Sequence, residues 1–300
     1  MAVLWPADIL NLVFLCAHAF LQVARWEATP HAALWLAFDL GSMAAVVAIA
    51  HSTRELHRRG AMLRLIHGMV TVPLAFTQVG LLIAARAGPD HASTLAAWDR
   101  ALFGCDPLVA IEVFAHPLAT EVLQWCYALY LITPVVAVVL LLIHADTLTL
   151  VRSQFSLLGV YYGSYLGYHI FPASGPNIHN NFGAPSPVDI PVVVRHTFTD
   201  PLPGVWQTDA IREWIFNAEV TKFDCFPSGH VAVAICCLVY AFRAKRCAGW
   251  MLLPLCLGIV LSTVWLRYHY VVDVFAGILL ALVGFLVLER MHRRYESRWI

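Results

Sequence analysis

The stretch "HYVVDVFAGILLALVGFLVLERMHRR", His269–Arg294, decides the fold. It opens on a histidine and an aspartate, stays apolar until Glu289, and closes on three arginines. A helix needs roughly 20 apolar residues to cross a bilayer, so residues 269–289 are predicted to form a span. The basic end is expected on the cytoplasmic side. His269 and Asp273 stand at i and i+4 and therefore share one helix face. A carboxylate there can take the proton of one imidazole nitrogen, leaving the other free as nucleophile or base. Ionisable groups just inside a span are costly and mark function by default.

The rest of the 300-residue chain agrees. It is 60% hydrophobic and only 13% charged, with mean hydropathy +0.71, whereas soluble domains are nearer half apolar and a quarter charged. The chain reads as an all-α, polytopic membrane helical bundle of about eight transmembrane helices. They are expected near 7–25, 31–50, 62–86, 119–144, 155–172, 227–244, 249–267 and 269–289, with Pro73 and Pro134 tolerated inside spans. Arginines cluster in "RELHRRG", "RAKR" and "ERMHRR". This places both termini in the cytoplasm, with the loops 87–118 and 173–226 outside. "ILNLVFLCAHAFLQVA" (Ile9–Ala24) reads as a retained helix rather than a signal peptide. The first outer loop is expected to carry an interfacial amphipathic helix, and the second a short helix starting at Thr208 or Asp209. Zero formal net charge gives no footprint for nucleic acid. The bilayer and its lipids are the expected partners. Cys105 and Cys225 both fall in outer loops, where a disulfide between them is one open pairing. His18, His67, His144 and His169 read as interface residues or satisfied polar groups.

A second titratable cluster lies at the outer end of the sixth span, in "DCFPSGH", Asp224–His230. Pro227 suits the first turn of a helix. The unpaired N–H groups around Ser228 and Gly229 would favour an anion, phosphate above all. Asp224 divides between complementing the helix dipole and supporting a site. Lys222 and Arg267 divide between interface anchors and phosphate ligands. His179 with Asn177, Asn180 and Asn181 reads as loop chemistry.

"FPSGH" followed about forty residues later by "HYVVDVFAG" resembles the second and third motifs of the type 2 phosphatidic acid phosphatase superfamily. "WDRALFGCDP" (Trp98–Pro107) and "FPASGP" (Phe171–Pro176) are similar to segments of its inositol phosphorylceramide synthase-like branch, and sphingomyelin synthases look similar at Asp224. The resemblance implies a six-helix phosphatase/phosphotransferase core within residues 61–300, preceded by two additional helices in residues 1–60. It implies His269 as the nucleophile that forms a phosphohistidine, Asp273 as its charge partner and His230 as general acid. It also implies Ser228 and the Gly229 N–H as phosphate ligands, and neither metal nor organic cofactor.

The sequence departs from the wider superfamily where phosphate-binding arginines are expected. Ser262 is followed by Thr263, and "FPASGP" holds no arginine. Lys222, Arg267, Arg195 and Arg212 are the cations near enough in sequence to compensate. The expected function is an integral membrane phosphotransferase acting on a lipid phosphate ester at the outer leaflet of, most simply, a bacterial inner membrane. The alternative is a lipid phosphate phosphatase with water as acceptor. An intramembrane serine protease built on Ser228 and His269, and a haem-binding or transport protein, are remote alternatives.

Overall fold

The computed structural model describes residues 4–53, 57–86, 88–176, 202–218 and 221–296. Asn177, His179, Asn180, Asn181 and Arg195 lie outside the described residues. Among those described there is no strand, only an isolated bridge between Ala173 and Asp224. The helices are α1 (Pro6–Ala24), α2 (Ala32–Ser52), α3 (Arg58–Ala84), α4 (Ala92–Phe103), α5 (Pro107–Ala110), α6 (Pro117–Leu129) and α7 (Thr133–His144). They are followed by α8 (Thr147–Ile170), α9 (Thr208–Ala218), α10 (Gly229–Ala244), α11 (Arg246–Trp265), α12 (Val271–Val283) and α13 (Glu289–Glu296). A five-residue π-helical stretch, Gly284–Leu288, carries α12 into α13.

Five helical stretches among the described residues are long and apolar enough to cross a membrane, and a sixth is the pair α6–α7. The chain is therefore an integral membrane bundle. The segment 119–144 is not the single helix expected from its apolar run. It breaks at Tyr130–Ile132 and bends by 56°. Pro134 has no N–H to return to Tyr130, so the backbone tightens to i→i+3 bonds such as Ile132 N–H to Leu129 O and Thr133 N–H to Tyr130 O. Helix α8 also begins earlier than the apolar run suggests. The Asp146 side chain accepts from the Thr149 N–H at 2.7 Å and caps it.

Helix α8 runs through the core against α3, α10 and α1. Leu150, Val151, Leu157 and Val160 meet Ala137 and Leu141 of α7 and the small face Ala232, Val233, Cys236 and Cys237 of α10. Lipid is as apolar as leucine, so burying these residues brings no hydrophobic gain over the bilayer. Close packing of small residues holds such helices together instead. The polar face of α1 adds interhelical bonds. Arg64 of α3 donates through Nε to both Asp8 oxygens at 2.9 Å, the Tyr162 hydroxyl of α8 donates to Asn11, and His18 Nδ1 meets Gln78 at 3.0 Å.

One end of the bundle is covered. Helix α4 buries Leu95, Ala96 and Asp99 and leaves Trp98, Leu102 and Phe103 exposed, the amphipathic habit of an interfacial helix. Helix α9 buries Ile211 and Ile215 beside Tyr127 and Tyr268. It is pinned by the Glu121 carboxylate of α6, which accepts from the N–H groups of Val205, Trp206, Gln207 and Thr208 and from the Thr208 hydroxyl.

Candidate active site

Helices α10 and α12 both start beneath this cover, and their first turns touch. The Ser228 N–H donates to the Asp273 carbonyl at 3.2 Å. A Cβ on Gly277 would stand 2.6 Å from the Ser228 carbonyl oxygen, so only glycine lets the two helices approach this closely. Ser228 caps α10 by accepting from the Val231 N–H at 3.4 Å. Pro227 thus stands just before the cap rather than inside the first turn, because the serine side chain, not proline, closes the helix end. Gly229 opens the helix with the Tyr168 hydroxyl only 2.5 Å from where a Cβ would lie.

This contact brings His230, His269 and Asp273 together. His269 Nε2 lies 3.2 Å from His230 Nδ1. His269 Nδ1 lies 3.0 Å from the Cys225 carbonyl oxygen, which can only accept. Nδ1 therefore carries the proton, and the Nε2 lone pair points at His230. Asp273 Oδ2 stands 3.4 Å from the same Nδ1. Asp273 is itself fixed by the Tyr270 N–H at 2.9 Å and by the Cys225 thiol at 2.6 Å. Burial pushes the Cys225 thiol well up, so it stays an S–H donor. His230 lies between two aromatic rings, stacked on Tyr127 at 4.6 Å and tilted against Tyr130 at 4.3 Å.

The remaining expected residues separate. Asp224 lines a cavity of about 270 Å³ shared with His230 and Gly229, and burial pushes its carboxyl up. Arg267 is fully buried, two residues before His269, with its guanidinium 3.2 Å from Glu112. Its backbone is left-handed at φ 62, a strain of roughly 1 kcal/mol for a side chain with a Cβ. Lys222 donates to the Phe216 carbonyl at 2.6 Å and sits over the Phe216 ring. Arg212 pairs with Asp209 at 2.7 Å. Cys105 and Cys225 are both free, so the disulfide left open by their loop positions is not formed.

Four contributors were missed in the sequence. Asp99, within "WDRALFGCDP", accepts from the Val271 and Val272 N–H groups at 2.9 and 2.8 Å and caps α12 from another helix. Cys225 read only as a loop cysteine. Tyr127 and Tyr130 read as span residues, and their i, i+3 spacing in "QWCYALYLITP" is the one signal that they share a face. Cys225, His269 and Asp273 also form the group among the described residues whose donor atoms lie close enough together to hold a metal ion. As arranged, they hydrogen-bond to one another.

The sequence that builds this site is similar to known proteins. Over 131 residues the chain is 30% identical to a phosphoinositol dihydroceramide synthase of Bacteroides thetaiotaomicron, covering 42% of this chain and 41% of that protein. Over 109 residues it is 27% identical to a PA-phosphatase related-family protein of Dictyostelium discoideum, covering 36% of this chain and 18% of that protein. The chain therefore spans less than half the length of either relative. No solved structure matches. Residues 93–287 match the PAP2 superfamily, a stretch that holds both histidines, Asp273 and the cover of α4 and α9. The chain belongs to the PAP2 superfamily.

Proposed function

We propose that this protein transfers a phosphate-linked head group from a glycerophospholipid to a second lipid alcohol through a phosphohistidine on His269. The observation that carries this reading is the 3.0 Å approach of His269 Nδ1 to the Cys225 carbonyl, which assigns the proton to Nδ1 and leaves the Nε2 lone pair to attack once His230 moves away. His269 Nε2 attacks phosphorus, and the bond from phosphorus to the lipid alkoxide breaks. Protonated His230 gives its proton to the departing oxygen. In the second step neutral His230 takes the proton of the incoming hydroxyl, whose oxygen attacks phosphorus, and His269 recovers its electron pair. Asp273 balances the charge that the ring gains while phosphorylated. Phosphorus must lie within attacking distance of Nε2, about 3–3.5 Å, with the leaving oxygen beyond it. Nitrogens 3.2 Å apart leave no such space, so His230 turns aside as substrate binds. No metal or organic cofactor enters these steps.

Ser228, Gly229, Arg267 and Lys222 are the proposed phosphate ligands, with Asp224 in support. Helices α1 and α2 are additional to the catalytic core. Both termini are cytoplasmic in a bacterial inner membrane, with the site facing outward. The similarity to a phosphoinositol dihydroceramide synthase favours a lipid acceptor. The similarity to a PA-phosphatase related protein keeps water as the second reading.

Purified protein given a phospholipid labelled with radioactive phosphorus is expected to take up acid-labile, base-stable label. The label should vanish in His269→Ala and persist in His230→Ala only at a much slower rate. Label retained in His269→Ala would refute the mechanism. Mass analysis of products with and without ceramide then separates transfer from hydrolysis.

A further inference from the structure

Buried side-chain atoms without a hydrogen-bond partner gather between α1, α2 and α8, away from His230 and His269. They are His18 Nε2, both amide atoms of Gln22, Asp39 Oδ1 and His169 Nε2. His18 and Gln22 stand at i and i+4 on α1 and are 2% and 0% exposed. Arg25, the C-terminal cap residue of α1, follows three positions later. The His18 and His169 rings meet edge to face at 5.4 Å. Arg25, Arg86 and His18 all stand near enough to act on the His169 ring through their charge. Arg25 donates to the Leu82 carbonyl at the end of α3, and Arg86 donates to the His169 carbonyl at 2.6 Å. Each guanidinium thus caps a helix C-terminus, which uses one of its five N–H groups. The charge that acts on Arg25 is that of Arg86, not of an acid.

We propose that Arg25, Arg86, Gln22 and His169 bind the phosphate of an anionic phospholipid at the site end of the bundle, apart from the reacting lipid. Capping explains where each arginine lies but not why two like charges stand together over unpaired buried groups. A shared anion relieves their repulsion, and the planar guanidinium suits phosphate oxygens. The Gln22 amide offers two N–H donors, and His169 Nε2 can carry that ring's proton. Asp39 does not compete. Its Oδ2 is held by the Gln78 amide at 2.7 Å, and Gln78 in turn takes His18 Nδ1 at 3.0 Å, so the acid is tied on the far side of His18. A lipid fits better than free phosphate. Trp26 follows Arg25 and is exposed, and such indoles mark head-group depth. Val23 and Ile170, also exposed, offer apolar surface for acyl chains beside the cations. A basic pocket between membrane helices suits an anionic head group. The pocket is separate from the histidine pair, because His169 follows Tyr168, whose hydroxyl faces Gly229 on another side of α8. Gln22, Arg25 and Arg86 also precede residues 93–287, the part that matches the superfamily.

The test uses the full-length protein in phosphatidylcholine nanodiscs doped with a phosphatidylglycerol probe that bears a diazirine on one acyl chain. Adducts are expected at Val23, Trp26 or Ile170 despite the excess of phosphatidylcholine. Unlabelled phosphatidylglycerol should displace them, and inorganic phosphate at the same concentration should not. Arg25→Gln combined with Arg86→Gln is expected to lower the adducts roughly tenfold. Gln22→Leu leaves both arginine caps in place, so it keeps the test decisive if losing the caps unfolds the protein. It should raise the melting temperature measured without probe, since it removes a buried unpaired amide, and still lower the adducts severalfold. Phosphohistidine formation should be unchanged in Gln22→Leu, so this site and the transfer reading fail separately. Adducts spread along the lipid-facing helices as with a phosphatidylcholine probe would overturn the proposal. So would adducts unchanged in Gln22→Leu, or displacement by inorganic phosphate as strong as by phosphatidylglycerol.

Discussion

His269 is held by two groups of different kind, and the difference can be measured. Its Nδ1–H goes to a backbone carbonyl, which no side-chain substitution removes. Its charge partner Asp273 depends on the Cys225 thiol at 2.6 Å. Cys225→Ala should leave the contact of His269 Nδ1 with the Cys225 backbone carbonyl intact but take one of the two hydrogen bonds from Asp273 Oδ2 in a buried site, leaving that from the Tyr270 N–H. One lost hydrogen bond of about 1–1.5 kcal/mol predicts a roughly tenfold lower kcat. Cys225→Ser restores a donor and should recover most of the rate, with KM unchanged in both. Equal loss in the two variants would show that packing, not the hydrogen bond, is what Cys225 supplies. The pairing of His269 with Asp273 was legible as an i, i+4 spacing, but His269 stands in the bend before α12, which begins at Val271, so the turn and not a shared helix face brings the two within 3.4 Å. The role of Cys225 was not, because its bond to Asp273 crosses 48 residues and depends on how α10 and α12 dock. The same holds for Tyr127 and Tyr130, whose approach to His230 follows from a helix break that an apolar run does not announce.

At the scale of elements, the site is set by how α12 starts. Asp99 of α4 caps it from outside, and burial pushes the Asp99 carboxyl up to about 6, above the ordinary value of about 3.9. The folded protein thus holds a proton on Asp99 that the unfolded chain has already released. Its contribution to stability therefore falls as pH rises from about 4 to about 6 and is level above. Asp99→Asn removes that slope and sets an amide N–H₂ against the N–H groups of Val271 and Val272. Melting temperatures across pH 4–7 should show the slope flattened and, at pH 7, a loss of about 1 kcal/mol. An unchanged slope would rule Asp99 out as its source. The anchoring of α1 is tested separately. Arg64→Ala leaves Asp8 charged and buried, and should destabilise the protein by about 3–5 kcal/mol. Replacing both partners with apolar residues should cost much less. The start of α9 was legible, since Thr208 begins a short run with a clear helical start. The origin of α8 was not, because its first turns are polar and only the Asp146 cap marks them.

For the molecule as a whole, the reading that matters most is which end faces out. The site end is defined by α4, α9 and the starts of α10 and α12. The opposite end holds the junction of α10 with α11, around Lys245 and Arg246. Two native cysteines report on these ends without any engineering. Cys105 follows α4 on the site side and is exposed, and Cys247 stands in the first turn of α11 on the far side and is also exposed. The basic clusters predict that the far side is cytoplasmic, since Lys and Arg near span ends are retained there. In intact cells a membrane-impermeant maleimide should therefore label Cys105 and spare Cys247. After permeabilisation it should label both. Cys16 is exposed along the lipid-facing side of α1, where a charged reagent does not reach, so the two loop-side thiols carry the result. Cys105→Ser should abolish the signal from intact cells, and Cys247→Ser should leave it unchanged. Labelling of Cys247 alone would invert the molecule. It would move His269, His230 and the cavity beside them to the cytoplasmic leaflet while leaving every distance in the site as it is.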